Sequence, residues 1–100
     1  MEKITILLVD DHKLVRESWS FILNSDPRFH VIGETSDVSE AVAIAREKKP
    51  KIVLMDITMP GIDAIEATRR LVATEPRLRV APVSTHAPSD LPPGAATSGA

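Results

Sequence analysis

Three times between Ile4 and Thr74 a short run of β-branched and aliphatic residues gives way to a stretch with helical apolar spacing, and this alternation restricts the possible folds severely. Ile4-Thr5-Ile6-Leu7-Leu8-Val9 is nearly all apolar and is ended by two acids, Asp10 and Asp11, the pattern of a strand covered on both faces in a parallel sheet. From Lys13 to Asn24, the residues Val15, Trp19, Ile22 and Leu23 form one helical stripe, and Asp26-Pro27 stops it. His30 to Thr35 reads as a second strand. Asp37 then caps a helix with Glu40 three residues on, Ala41, Ile44 and Ala45 line its buried face, and Pro50 lies beyond its end. Ile52-Val53-Leu54-Met55 is a third strand ending in Asp56, and a Met59-Pro60-Gly61 turn leads to Asp63, which can cap a helix from Ala64 to Thr74. Arg79 to Ser84 is a fourth strand, in which Pro82 is tolerated only where a missing N–H faces no partner.

Alternating strands and helices imply parallel pairing through right-handed crossovers, hence an α/β, doubly wound sheet whose working site lies at the carboxyl ends of the strands. A chain of 100 residues fits one small domain, and 43% hydrophobic residues with 3% aromatics give it an aliphatic core. The formal charge of -2 offers no basic face, so no nucleic acid is expected to bind this segment. No cysteine is present, which removes disulfides and thiolate metal sites. The apolar run at Ile4 is too short for a membrane span, and the expected location is cytoplasmic. Residues 1–85 are read as the folded domain. The stretch 86–100, with Pro88, Pro92, Pro93 and two glycines among small residues, is read as loop or disordered tail.

Chemistry is expected where the acids fall. Asp10 and Asp11 end the first strand and Asp56 the third, and these strands are neighbours at the switch point of a doubly wound sheet. Three carboxylates in one place repel unless a cation neutralises them, and an all-oxygen site with few protein ligands suits Mg²⁺. A carboxylate so shielded is a competent nucleophile toward phosphorus, a role for which Asp56 is placed, and the backbone carbonyls of Ile57 and Thr58 could reach the same metal. Ser84, at the end of the fourth strand, could donate a hydrogen bond to a phosphoryl oxygen. Other residues are read more plainly: Trp19 as core, His12 as a capping or surface residue, Met55 and Met59 as packing and turn residues, His86 as solvated.

Leu8-Val9-Asp10-Asp11-His12, Gly33-Glu34-Thr35 and Leu54-Met55-Asp56-Ile57-Thr58-Met59-Pro60-Gly61-Ile62-Asp63 together resemble the receiver domains of two-component response regulators, with the LuxR-type branch nearest. The resemblance runs from about Ile4 to Thr85. It implies a flavodoxin-like sheet of strand order 2-1-3-4, with Asp56 as phosphoacceptor, Asp11 as a direct metal ligand and Asp10 as a ligand acting through water. It also makes the Thr58 carbonyl a further ligand and Ser84 the hydroxyl that meets the phosphoryl group. A sensor histidine kinase is the implied partner, the receiver itself is not classed as an enzyme, and DNA is reached through a helix-turn-helix domain outside this chain.

The sequence departs from that pattern in its last segment. Leu91-Pro92-Pro93-Gly94-Ala95-Ala96 stands where a fourth helix is expected, and the chain ends before a fifth strand with its lysine, which would pair with the acceptor. Ala64 replaces the usual glycine after Asp63. The absent lysine and the proline-rich tail make a phosphotransfer-deficient interaction or dimerisation module an alternative function, and an unpaired edge at strand four invites a homodimer. A haloacid-dehalogenase-type phosphatase is another, but such an enzyme needs an acid two residues after the nucleophile, where Thr58 stands.

Overall fold

A computed structural model describes residues 2–59 and 63–84. The expectations for 86–100, for His86 and for the Pro60-Gly61 turn lie outside the described residues.

The alternation folds as β1 (Ile4–Val9), α1 (Lys13–Asn24), β2 (Phe29–Thr35), α2 (Val38–Lys48), β3 (Ile52–Asp56), α3 (Ala64–Thr74) and β4 (Arg79–Val83). All pairings are parallel, and the order β2-β1-β3-β4 is the one expected, with β1 and β3 side by side at the switch point. The helix starts follow local chemistry. Asp37 accepts from the Glu40 N–H at 3.0 Å, and Asp63 accepts from the N–H groups of Ile65 and Glu66 at 3.0 and 3.1 Å, satisfying donors that the first helical turn leaves open. At the other end of α2, Lys49 takes a left-handed conformation (φ 49°) before Pro50, so the chain turns toward β3.

The edge strand β2 carries one irregularity. Its register against β1 jumps from Ile6↔Val31 to Leu7↔Gly33, leaving Ile32 as the extra residue of a bulge. The carbonyl of Ile32 is met by Lys48 Nζ at 3.2 Å, and the N–H of Val31 is met by Asn24 Oδ1 at 2.9 Å. Side chains of α2 and α1 thus occupy backbone groups of an edge that would otherwise offer them to another chain. On β4, the N–H of Arg79 donates to the Lys51 carbonyl and the carbonyl of Val83 accepts from the Ile57 N–H, at the two ends of β3, so alternate residues, Pro82 among them, direct their backbone polar groups away from β3. The missing donor of Pro82 therefore faces the outer side of β4, as its chemistry requires.

One face of the sheet packs a continuous core of Leu7, Val9, Val53 and Met55 against Ala41 and Ala45 of α2 and Ala67 and Leu71 of α3. The other face is covered less completely. Ile6 and Leu8 are buried there, but no residue of α1 is fully buried, Ile22 is 60% exposed and Trp19 is 38% exposed. The expectation that Trp19 is a core residue is therefore corrected. The stripe does face the sheet, yet among the described residues α1 alone is too narrow to enclose the indole, which lines a small cavity with Leu8, Leu54 and Val83.

Candidate functional site

The site is built by strand ends. Val9 is paired with Met55, so one residue further on Asp10 stands beside Asp56. The N–H of Asp10 donates to the Thr35 carbonyl at 3.0 Å, which fixes it to β2 as well. Asp56 is fully buried and Asp10 nearly so, whereas Asp11 is turned outward.

The two buried acids are held by the same local device. Asp10 Oδ1 accepts from the His12 N–H, and Asp56 Oδ1 accepts from the Thr58 N–H, each at 2.8 Å and each two residues along the chain. Such turns fix a carboxylate to its own backbone as the strand ends. Asp56 Oδ1 also accepts from the Thr58 hydroxyl.

One potential ligand atom from each of Asp10, Asp11, His12 and Asp56 lies within 4.8 Å of all the others. Two full charges within 4.8 Å of each other repel by about 3.5 kcal/mol or more at an effective dielectric of about 20. Three carboxylates gathered this closely therefore favour a cation among them. Their oxygens form a donor set that fits a hard divalent ion such as Mg²⁺.

The structure thus brings Asp10, Asp11 and Asp56 together as the sequence suggested. Thr58 meets Asp56 through its N–H and hydroxyl, contacts distinct from the carbonyl ligation expected of it. Ser84 is exposed just beyond Val83, which is paired with Asp56, so it sits at the same end of the sheet. His12 was read as a capping or surface residue. It occupies the N-cap position of α1 and is exposed, but its side chain caps nothing. Instead Nδ1 lies 3.2 Å from Asp10 Oδ1 and 2.9 Å from Asp11 Oδ1. Its place directly after the acid pair was the available signal.

Sequence reasoning missed Arg16 altogether. From the first turns of α1 it donates through Nη1 to the Asp10 backbone carbonyl at 2.7 Å and through Nε to Glu34 Oε1 at 3.3 Å. The signal lay in the spacing, because six residues after a strand-end acid a helical side chain points back over that end.

Comparison with known proteins agrees with the geometry. The family described as the response regulator receiver domain matches residues 6–100. The chain is 39% identical over 84 residues to the transcriptional regulatory protein DegU of Brevibacillus brevis, covering 84% of this chain and 36% of that protein. It is 47% identical over 68 residues to the transcriptional regulatory protein LiaR of Bacillus subtilis, covering 68% and 32% respectively. The chain therefore spans about a third of the length of these relatives. Among solved structures, a LuxR-family two-component response regulator from Aurantimonas superposes with a TM-score of 0.77 at 37% identity, over 89% of this chain and 64% of that one. With its four-stranded 2-1-3-4 sheet and its acids at the strand ends, the chain belongs to the response regulator receiver domain family.

Proposed function

We propose that this chain is the phospho-accepting module of a two-component system, with Asp56 as the acceptor. The observation that carries this reading is the convergence of a fully buried Asp56 with Asp10 and Asp11 at the carboxyl ends of β3 and β1. On this reading Asp10, Asp11, Asp56 and the backbone carbonyl of Thr58 would hold Mg²⁺, which would shield the charge between an incoming phosphoryl group and the carboxylates. An Asp56 carboxylate oxygen forms the bond to phosphorus while the bond from phosphorus to an imidazole nitrogen of a histidine kinase breaks, and that electron pair returns to the nitrogen. The Thr58 N–H and hydroxyl hold Asp56 in place for attack, and the Ser84 hydroxyl meets a phosphoryl oxygen afterwards.

The phosphoryl group is taken once per molecule, so the module is not an enzyme in its own right. The folded unit is residues 1–85, its location is the cytoplasm, and a second copy of the chain is a further partner. Because the chain spans about a third of its relatives, the output reading extends beyond it: phosphorylation controls transcription through a DNA-binding domain outside these residues. No described helix is long and apolar enough to cross a membrane.

The test is intact-protein mass after incubation with Mg²⁺ and a small acyl phosphate. The expected result is a gain of one phosphoryl group that disappears with chelator and in Asp56→Asn. A gain equal in Asp56→Asn would refute the assignment. No gain in the parent chain, alongside self-association, would favour the phosphotransfer-deficient module, and turnover of a phosphate ester would favour a phosphatase.

A further inference from the structure

We infer that Arg16 is a positioning residue for the cation site, acting through the peptide that joins Asp10 to Asp11; the inference rests on the metal-dependent reading just given. Its side chain is only 16% exposed, whereas Arg28 and Arg69 are 71% and 73% exposed, so its guanidinium is held by specific partners rather than by water. Those partners are the Asp10 carbonyl, at 2.7 Å, and Glu34 on β2, at 3.3 Å. A planar guanidinium meets two acceptors at once with little loss of freedom, which a lysine ammonium on a flexible stem does less well.

The contact falls on the one polar group of Asp10 that other elements leave to it. The Asp10 N–H is taken by Thr35 and its carboxylate by the His12 N–H. Of these three contacts, Arg16's is the one made to the Asp10–Asp11 peptide itself, so it holds the plane of that peptide while the other two hold the preceding peptide and the side chain of Asp10. That plane sets the directions in which a buried Asp10 and an outward Asp11 leave the chain, and therefore where their carboxylates stand relative to Asp56. Loss of a group that holds a ligating residue in this way commonly costs about ten- to a hundredfold in metal affinity.

Positioning and charge make opposite demands here. As a bare positive charge near a cation site, Arg16 would weaken metal binding, and its removal would tighten it. As the anchor of the Asp10–Asp11 peptide, its removal loosens the ligands and weakens binding. The sign of the change separates the two roles.

The experiment is calorimetric titration of the full chain with Mg²⁺, with circular dichroism melts recorded on the same samples. Arg16→Gln is expected to weaken Mg²⁺ binding about tenfold. Arg16→Lys, which keeps the charge and aliphatic stem but not the fork, is expected to weaken it as well, and it decides the matter if the glutamine variant does not fold. Folded variants that bind Mg²⁺ as tightly as the parent, or more tightly, while melting at lower temperature would overturn the inference and make Arg16 a tie between α1 and β2 only. That outcome leaves the metal-dependent function intact. A parent chain that takes up no Mg²⁺ at millimolar concentrations would instead overturn the functional reading and this inference with it.

Discussion

Asp56 and Asp10 each end a strand with a carboxylate that folds back onto the N–H two residues on, and each is buried with a second acid nearby. The arrangement favours chemistry over stability, because the acids repel one another. Asp56→Asn keeps an acceptor for the Thr58 N–H while removing one charge. It is expected to raise the melting temperature in the absence of divalent ions, and added Mg²⁺ is expected to raise that of the parent but not of the variant; differential scanning calorimetry checks both. Thr58→Val removes the hydroxyl donor to Asp56 and should lower the unfolding free energy by about 1 kcal/mol in urea titrations. At this scale the acids were legible, because apolar runs that stop at acids name their own strand ends. The turning of His12 onto Asp10 and Asp11, and the reach of Arg16 to a carbonyl, were not. They depend on the angle at which α1 leaves β1, which residue types alone do not encode.

Among the elements, helix starts were the most legible feature, because Asp37 and Asp63 satisfy open N–H groups by a mechanism written in local sequence. Replacing either with Ala should cost about 1 kcal/mol, measurable by chemical denaturation. The turn between α1 and β2 adds a pH signature. Hydrogen bonds from the Arg28 side chain, and next from its backbone N–H, lower the Asp26 carboxyl from its ordinary 3.8 to about 2. Because the folded value is depressed, the favourable interaction is fully present above pH 3.8 and is lost as pH falls through about 2. Carboxyl chemical shifts followed by NMR should place the Asp26 midpoint near that lower value and return it toward 3.8 in Arg28→Ala. The burial of α1 was misread at this scale. A 3.6-residue stripe tells which side of a helix faces the sheet, but not how much of the sheet's width that helix covers, and so Trp19 emerged half exposed.

For the molecule as a whole, strand order and parallel pairing followed from the alternation, since crossovers have one hand and neighbouring elements pack together. The unequal covering of the two faces did not. The α2 and α3 face holds Leu7, Val53 and Leu71 without exposure, while on the α1 face Ile22 stays 60% exposed and Phe21, outside the apolar stripe, is 77% exposed. Leu71→Ala should therefore destabilise by about 2 to 5 kcal/mol, whereas Phe21→Ala should change stability by less than about 0.5 kcal/mol in the same denaturant experiment. The bulge at Ile32 and the side chains of Lys48 and Asn24 that serve the β2 edge were also invisible beforehand, because they join residues far apart in sequence. What unites the molecule is that its strands deliver acids from separate segments to one end of the sheet, with Asp56, the proposed acceptor, fully buried.

Reductive trapping tests that claim most directly. An aspartyl phosphate is an acyl phosphate, and borohydride converts the residue carrying it to homoserine, which peptide mass spectrometry locates. After exposure to Mg²⁺ and a small acyl-phosphate donor, the conversion is expected at position 56 alone and is expected to vanish with chelator. Conversion at another carboxylate, or none at position 56 with Mg²⁺ bound, would contradict the assignment of Asp56 as the acceptor.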